Sequence, residues 1–219
     1  MSFSIFQEIR YIGIGGTLYT FFLKLINKFV LFKILRGMVL SMDTADPKNL
    51  KNDQKYTYQF MSKDHLVGFS KHKEYELSED FIEEILGKGD GCFGISEKDI
   101  LISYGWYSNR PTPISDDLTL HFLKDYIYMY KGFTHHQYRG LGLHAIGMSK
   151  ALEAYSTRGF KGIVSYVESN NFRSLKSVYR TGYKDFGNVY ILKIFGKYFI
   201  SSSNGCQQYG FWVENQKTD

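Results

Sequence analysis

Residues 134–143 read Thr-His-His-Gln-Tyr-Arg-Gly-Leu-Gly-Leu. An aromatic, β-prone run from Tyr126 to Thr134 leads into them. A helical pattern from Gly140 to Arg158 follows, with Leu141, Ala145, Met148, Leu152 and Tyr155 on one face and Gly159 as its stop. A strand that turns on glycines and leaves as a helix presents unpaired N–H groups and the positive end of the helix dipole. That arrangement holds phosphate oxygens. Gly140 and Gly142 let backbone amides approach a diphosphate with no Cβ in the way. The chemistry this segment points to is binding of a phosphorylated ligand.

The surrounding elements must place that turn. Tyr56 to Phe60 reads as a short strand. Ser78 caps a helix with Glu79 and Asp80 in its first turn and Phe81, Ile82, Ile85 and Leu86 on its apolar face, ended by Gly87. Gly91 to Ser96 and Ile100 to Tyr107 form a hairpin around Glu97-Lys98-Asp99. Residues 109–117, with Pro111 and Pro113, are a loop. Ile163 to Val167 is a strand, and Asn171 caps a helix to Thr181 that Gly182 closes. Val189 to Phe195 is a strand, and a further one lies near residues 197–201 or 209–213. The order β-α-β-β-β-α-β-α-β-β predicts a mixed α/β sheet covered by helices.

On these residues the sequence resembles the GCN5-related N-acetyltransferase (GNAT) superfamily. Gln137-x-x-Gly140-x-Gly142 matches that superfamily's coenzyme A loop, and Tyr138-Arg139-Gly140-Leu141-Gly142-Leu143 is close to its common form. Val167-x-x-x-Asn171-x-x-Ser174 followed by Gly182-Tyr183 is similar to its later strand, helix and closing Gly-Phe/Tyr. The resemblance covers roughly residues 57–200. It implies an α/β fold with a mixed, mostly antiparallel twisted sheet, flanked by helices and splayed at the central strand. It implies acetyl-CoA as co-substrate and direct transfer of the acetyl group to an amine; no metal is expected, because the residues themselves offer no third ligand beside His135 and His136. Residues carried over for coenzyme A are Phe133 and Thr134 by their backbone, Gln137, Tyr138, Arg139, Gly140, Leu141, Gly142 and Leu143 at the pyrophosphate, and Asn171 and Ser174 near the pantetheine arm. His136 and His144 replace the usual Pro and small residue. They either contact a phosphate or sit on the surface.

The resemblance also directs attention to acid–base groups. The amine must lose a proton and the leaving thiolate must gain one. Relatives often carry a Glu or His on the strand before the loop. Here those positions are Tyr126 and Tyr128. Tyr128, holding a water chain, is one candidate, and Tyr126, Tyr128 and Tyr130 as one packed aromatic face is the other reading. Tyr179 is the nearest candidate acid, one residue from the usual place, which Val178 occupies. Glu168, after the strand end, is a candidate base. The acceptor stays open among a small amine, an amino sugar and a protein amine. A non-catalytic acyl-CoA-binding or scaffold module on the same fold, and an acyltransferase with a longer donor at the membrane, are the alternative readings.

The charge is uneven. The chain has 219 residues and a net charge of +5. Residues 1–42 hold Arg10, Lys24, Lys28, Lys33 and Arg36 against Glu8 alone, so the remainder is nearly neutral. A nearly neutral domain argues against nucleic acid as a partner. Residues 1–42 read as an apolar, basic helical extension, 43–56 as a linker, and 57–219 as the acyltransferase domain. Lys24, Asn27, Lys28 and Lys33 break up any spanning run. The extension either packs on the domain or a second subunit, or lies on an anionic membrane. Taken as a helix, it puts Lys33 on the opposite side from Lys24 and Lys28, which blurs the amphipathic face. The Gly13-Ile14-Gly15-Gly16 run reads as a break. Cys92 and Cys206 make no disulfide framework, and His135 and His136, side by side on a strand, point to opposite faces. The expectation is a reduced, cytoplasmic protein, at the inner face of a membrane if the extension binds one, with homodimerisation open.

Overall fold

The computed structural model describes residues 5–216. Its elements run α1 (Ile5–Ile26), β1 (Leu31–Leu40), β2 (Thr57–Phe60), α2 (Lys63–Ser70), α3 (Glu79–Gly87), β3 (Gly91–Glu97), β4 (Ile100–Ser108), β5 (Thr112–Pro113) and β6 (Leu118–His121). They continue with β7 (Tyr126–Thr134), α4 (Leu143–Ser156), β8 (Gly162–Glu168), α5 (Phe172–Thr181), β9 (Lys184–Ile194), β10 (Lys197–Ser202) and β11 (Trp212–Asn215). Eight strands form the main sheet in the order β10-β9-β1-β8-β7-β4-β3-β2, and β11-β6-β5 form a small second sheet. Every pairing in the main sheet is antiparallel except β7 with β8.

Strand alternation sends side chains to two cores. Ile127, Met129, Ile163 and Val167 face α4 and α5, where Met148, Leu152 and Leu175 meet them. Tyr128, Val164 and Leu35 face the other way, onto Leu118, Leu120 and Val213 of the small sheet. On that same side Tyr130 also touches the cluster where α2 and α3 cover Tyr104, Trp106 and Phe133. The expected caps form: Ser78 Oγ accepts from the Phe81 amide at 3.3 Å and Asn171 Oδ1 from the Ser174 amide at 3.2 Å.

Two expectations about the first 56 residues are corrected. The helix stops at Ile26, and residues 31–40 form a strand between β8 and β9. Asn27 makes the break: its side-chain amide donates to the Phe32 carbonyl at 2.9 Å and its Oδ1 accepts from the Phe32 amide at 2.9 Å. Leu35 and Met38 then enter opposite cores, which a strand buried on both faces requires. Residues 43–56 are not a free linker. Ala45 is buried, the Asp46 amide donates to the Thr181 carbonyl at 3.2 Å, and the buried Lys150 ammonium donates to the Leu50 carbonyl at 2.6 Å. The same ammonium also pairs with Glu153 at 2.9 Å, so a buried cation is held by both a carbonyl and a carboxylate. The loop 109–117 gains the short β5, α2 forms where no helix is expected, and both C-terminal segments form strands.

Candidate functional site

Among the described residues the β7–β8 pairing is the only parallel one in the main sheet, and it is short. It joins Tyr126 to Gly162, Ile127 to Ile163 and Tyr128 to Val164, and then stops. Both strands continue, β7 to Thr134 and β8 to Glu168, with no ladder between them. Ser165 Oγ donates to the Met129 carbonyl at 2.9 Å at the start of the divergence. Beyond it lies a wedge whose walls are strand backbone.

At the open end of the wedge β7 passes into a single 3-10 turn, His136–Tyr138, and then the glycine turn. Gly140 and Gly142 have φ of +87° and +75°, a region that favours glycine, and a Cβ at either would meet nothing within 4 Å. Gly142 is the N-cap of α4, and no side chain caps that end. The first N–H groups of α4 therefore have no side-chain cap, and the residues that carry them border a groove, as an anion site needs.

This end borders a groove of 460 Å3. Thr134, Tyr138, Arg139, Gly140, Gly142 and Leu143 line one wall, with His144 and Ala145 beyond them. Arg173, Lys176, Ser177 and Arg180 of α5 line the other. Their spacing puts three cations on one helix face. They were not singled out from the sequence, although the i, i+3, i+7 repeat of Arg173, Lys176 and Arg180 is its signal. A groove of this size fits a large ligand, and its charge suits phosphates.

The other carried-over residues sit around it. Arg139 Nε donates to the Thr134 carbonyl at 3.1 Å, and Tyr138 OH donates to Glu97 at 3.2 Å. Phe133 is buried, stacked on Tyr104, and its carbonyl accepts from Ser103 Oγ at 2.7 Å. Gln137 and Leu141 are exposed, whereas Leu143 is buried under the helix start. Asn171 and Ser174 meet each other in the α5 cap and do not line the groove. His144 does line it, but it is not the surface group weighed above. Its ring is partly buried against Gly132, and burial holds its pKa below the ordinary value, which disfavours a charged contact to phosphate. His135 and His136 do not point apart: their rings lie 4.4 Å from each other because the strand ends there. Among the described residues, no group of three or more His, Cys, Asp or Glu is placed to hold a metal ion.

The three acid–base candidates are not brought together. Tyr128 is fully buried, its ring stacked on Tyr166, and burial pushes its phenol well above the ordinary value. Glu168 ends β8 half-exposed and pairs with Lys33 at 2.9 Å. Tyr179 accepts a hydrogen bond from Arg36 at 3.1 Å and lines a separate depression of 560 Å3 with Ile12, Phe172 and Leu175. Lys176 and Arg180 border both spaces. On the sheet face opposite the groove, Tyr130 donates to the buried Asp90 at 3.0 Å.

No protein-family model matches this sequence, and no curated protein matches it. Solved structures do. A GNAT-family acetyltransferase from Colwellia psychrerythraea aligns at 15% identity with a TM-score of 0.53, over 75% of this chain and 57% of that one. A GCN5-related N-acetyltransferase from Sphaerobacter thermophilus aligns at 10% identity with a TM-score of 0.51, over 79% of this chain and 55% of that one. The alignments thus span little more than half the length of these structures. The chain has the GNAT fold, as its motifs imply.

Proposed function

We propose that this chain binds acetyl-CoA along the diverging strands and passes the acetyl group to an amine. The observation that carries the reading is the uncapped N-terminus of α4, opening at Gly142 onto a groove faced by Arg139, Arg173, Lys176 and Arg180. Acetyl-CoA supplies an activated thioester; the amine nitrogen forms a bond to its carbonyl carbon, the carbon–sulfur bond breaks, and the amine's proton is balanced by one gained at sulfur. The chain's own contribution is placement. The α4 amides and the α5 cations hold the diphosphate, and the edge of β7 that faces β8, laddered to it only as far as Tyr128, lines the arm. Positioning of this kind supplies a large part of such rate enhancements.

For the proton, Glu168 is the candidate this geometry favours. It ends β8 at the mouth of the wedge, is reachable by solvent, and is held by Lys33. Tyr128 lacks access and Tyr179 faces a different depression. The acceptor is an amine of a small molecule, an amino sugar or a protein. That no two of the three acid–base candidates meet favours a second reading, a non-catalytic acyl-CoA-binding module. Release of free thiol from acetyl-CoA, measured with and without a panel of amines, tests the choice. Amine-dependent release supports the enzyme. Tight binding of acetyl-CoA with no release across the panel supports the module.

A further inference from the structure

Helix α1 turns its apolar side outward. Ile14, Leu18, Phe21, Phe22 and Leu25 recur at helical spacing and are all exposed. On its inner side Leu23 is buried, and Tyr19 bonds the Ser169 hydroxyl at 2.6 Å and rests edge-on against Phe172. The earlier objection to an amphipathic face disappears, because Lys33 belongs to β1 rather than to the helix.

The stripe does not end with the helix. Phe29, in the turn to β1, is 82% exposed. The β1–β9 ladder ends at Leu31 opposite Lys193, so two residues further on Phe29 and Phe195 share one end of the sheet. Phe195 is 101% exposed, at the tip between β9 and β10. Phe199, also exposed, stands opposite Leu192, which stands opposite Phe32, so these three share a sheet face. Arg36, on that same face by alternation, lines a depression together with Ile12 of α1, so α1 lies on this side. Soluble surfaces rarely gather so many large apolar side chains in one place.

Charge identifies what covers it. Residues 9–30, which carry the stripe, contain Arg10, Lys24 and Lys28 and no Asp or Glu. Lys24 and Lys28 are exposed beside the stripe, and Lys197 beside the hairpin tip. A second copy docking through the same surface would have to cover Lys24 and Lys28 with no carboxylate from residues 9–42 to meet them. An anionic lipid surface meets both the apolar and the basic requirements. Among the described residues no helix is long and apolar enough to cross a membrane, so the contact is interfacial. We infer that α1 and the β9–β10 tip form one docking surface for an anionic bilayer, with Phe22, Phe29 and Phe195 at the acyl boundary.

The test is co-sedimentation of the full chain with vesicles of phosphatidylcholine alone and of phosphatidylcholine with phosphatidylglycerol. The wild type is expected to pellet with the anionic vesicles and less so as salt rises. Phe22→Ser with Phe195→Asn lowers the partition coefficient at least tenfold; Asn tolerates the positive φ of position 195, and both side chains touch solvent rather than core. Lys28→Glu keeps the apolar stripe and reduces binding to anionic vesicles only. The inference is overturned if the wild type stays in solution with both vesicles, or if the phenylalanine variant binds as the wild type does. It is overturned equally if sedimentation without lipid shows a wild-type dimer that the same variant dissolves. Acetyl-CoA affinity, measured on the same samples, reports separately on the groove.

Discussion

The ring of His144 fills the space that a side chain at Gly132 would need. Gly132 lies on β7 where it leaves β8, and His144 lies in the first turn of α4 and lines the groove. The strand and the helix that frame the groove are therefore in contact through a glycine and an imidazole. Gly132→Ala pushes the ring toward the groove. The expected result is a loss of about 1–3 kcal/mol in stability from overpacking and weaker acetyl-CoA binding, read by denaturant titration and calorimetry.

The same histidine makes stability depend on pH. Its pKa is lowered in the folded chain by burial, so the unfolded chain takes up the proton first as pH falls through the ordinary value of 6.5. Stability therefore declines on acidification. The melting temperature of the wild type should drop more between pH 7.5 and pH 5.5 than that of His144→Gln. Equal drops would remove His144 from the explanation.

Arg173 and Lys176 are exposed on α5 and reach the groove from the side opposite the glycine turn. Arg173→Glu with Lys176→Glu should raise the dissociation constant for acetyl-CoA at least about tenfold, with a smaller salt dependence than the wild type. Because both lie at the surface, the melting temperature should stay within about 2 °C.

Glu168 and Tyr179 are separated by a kinetic comparison. Glu168→Gln should lower kcat by about a hundredfold with KM for acetyl-CoA unchanged, the pattern of a lost general base. Tyr179→Phe loses only its bond from Arg36 and should change kcat less than about threefold. The reverse order would move the chemistry to the depression beside α1.

The part of the site near the turn was legible because its cues are local. A glycine pair between a β-prone run and a helical run is a local cue for a strand–turn–helix, and Asn171 and Gly182 bracket α5 by the same kind of cue. Residues 31–40 escaped because Leu31, Phe32, Ile34, Leu35, Met38, Val39 and Leu40 are apolar without a clear period. A strand buried on both faces looks like a helix segment in such a run. The cue that was missed is Asn27, which folds its amide back on the following turn. Residues 43–56 misled in the opposite direction: polar composition suggested a linker, yet Ala45 and Leu50 pack on the core, the Asp46 amide bonds the Thr181 carbonyl and Lys150 of α4 bonds the Leu50 carbonyl, contacts that composition does not encode. The positions of Tyr128 and Glu168 relative to the wedge depend on where the β7–β8 ladder stops, a long-range fact.

The central claim is that a coenzyme A diphosphate sits at the N-terminus of α4. Calorimetric titration of the folded full chain with acetyl-CoA, beside a Gly142→Trp variant checked for folding by its melting curve, tests it most directly. Binding in the micromolar range, lost in the variant while Arg173→Glu with Lys176→Glu weakens it, is the predicted result. A folded wild type that binds no coenzyme A species, or a folded variant that binds acetyl-CoA as well as the wild type does, would contradict it.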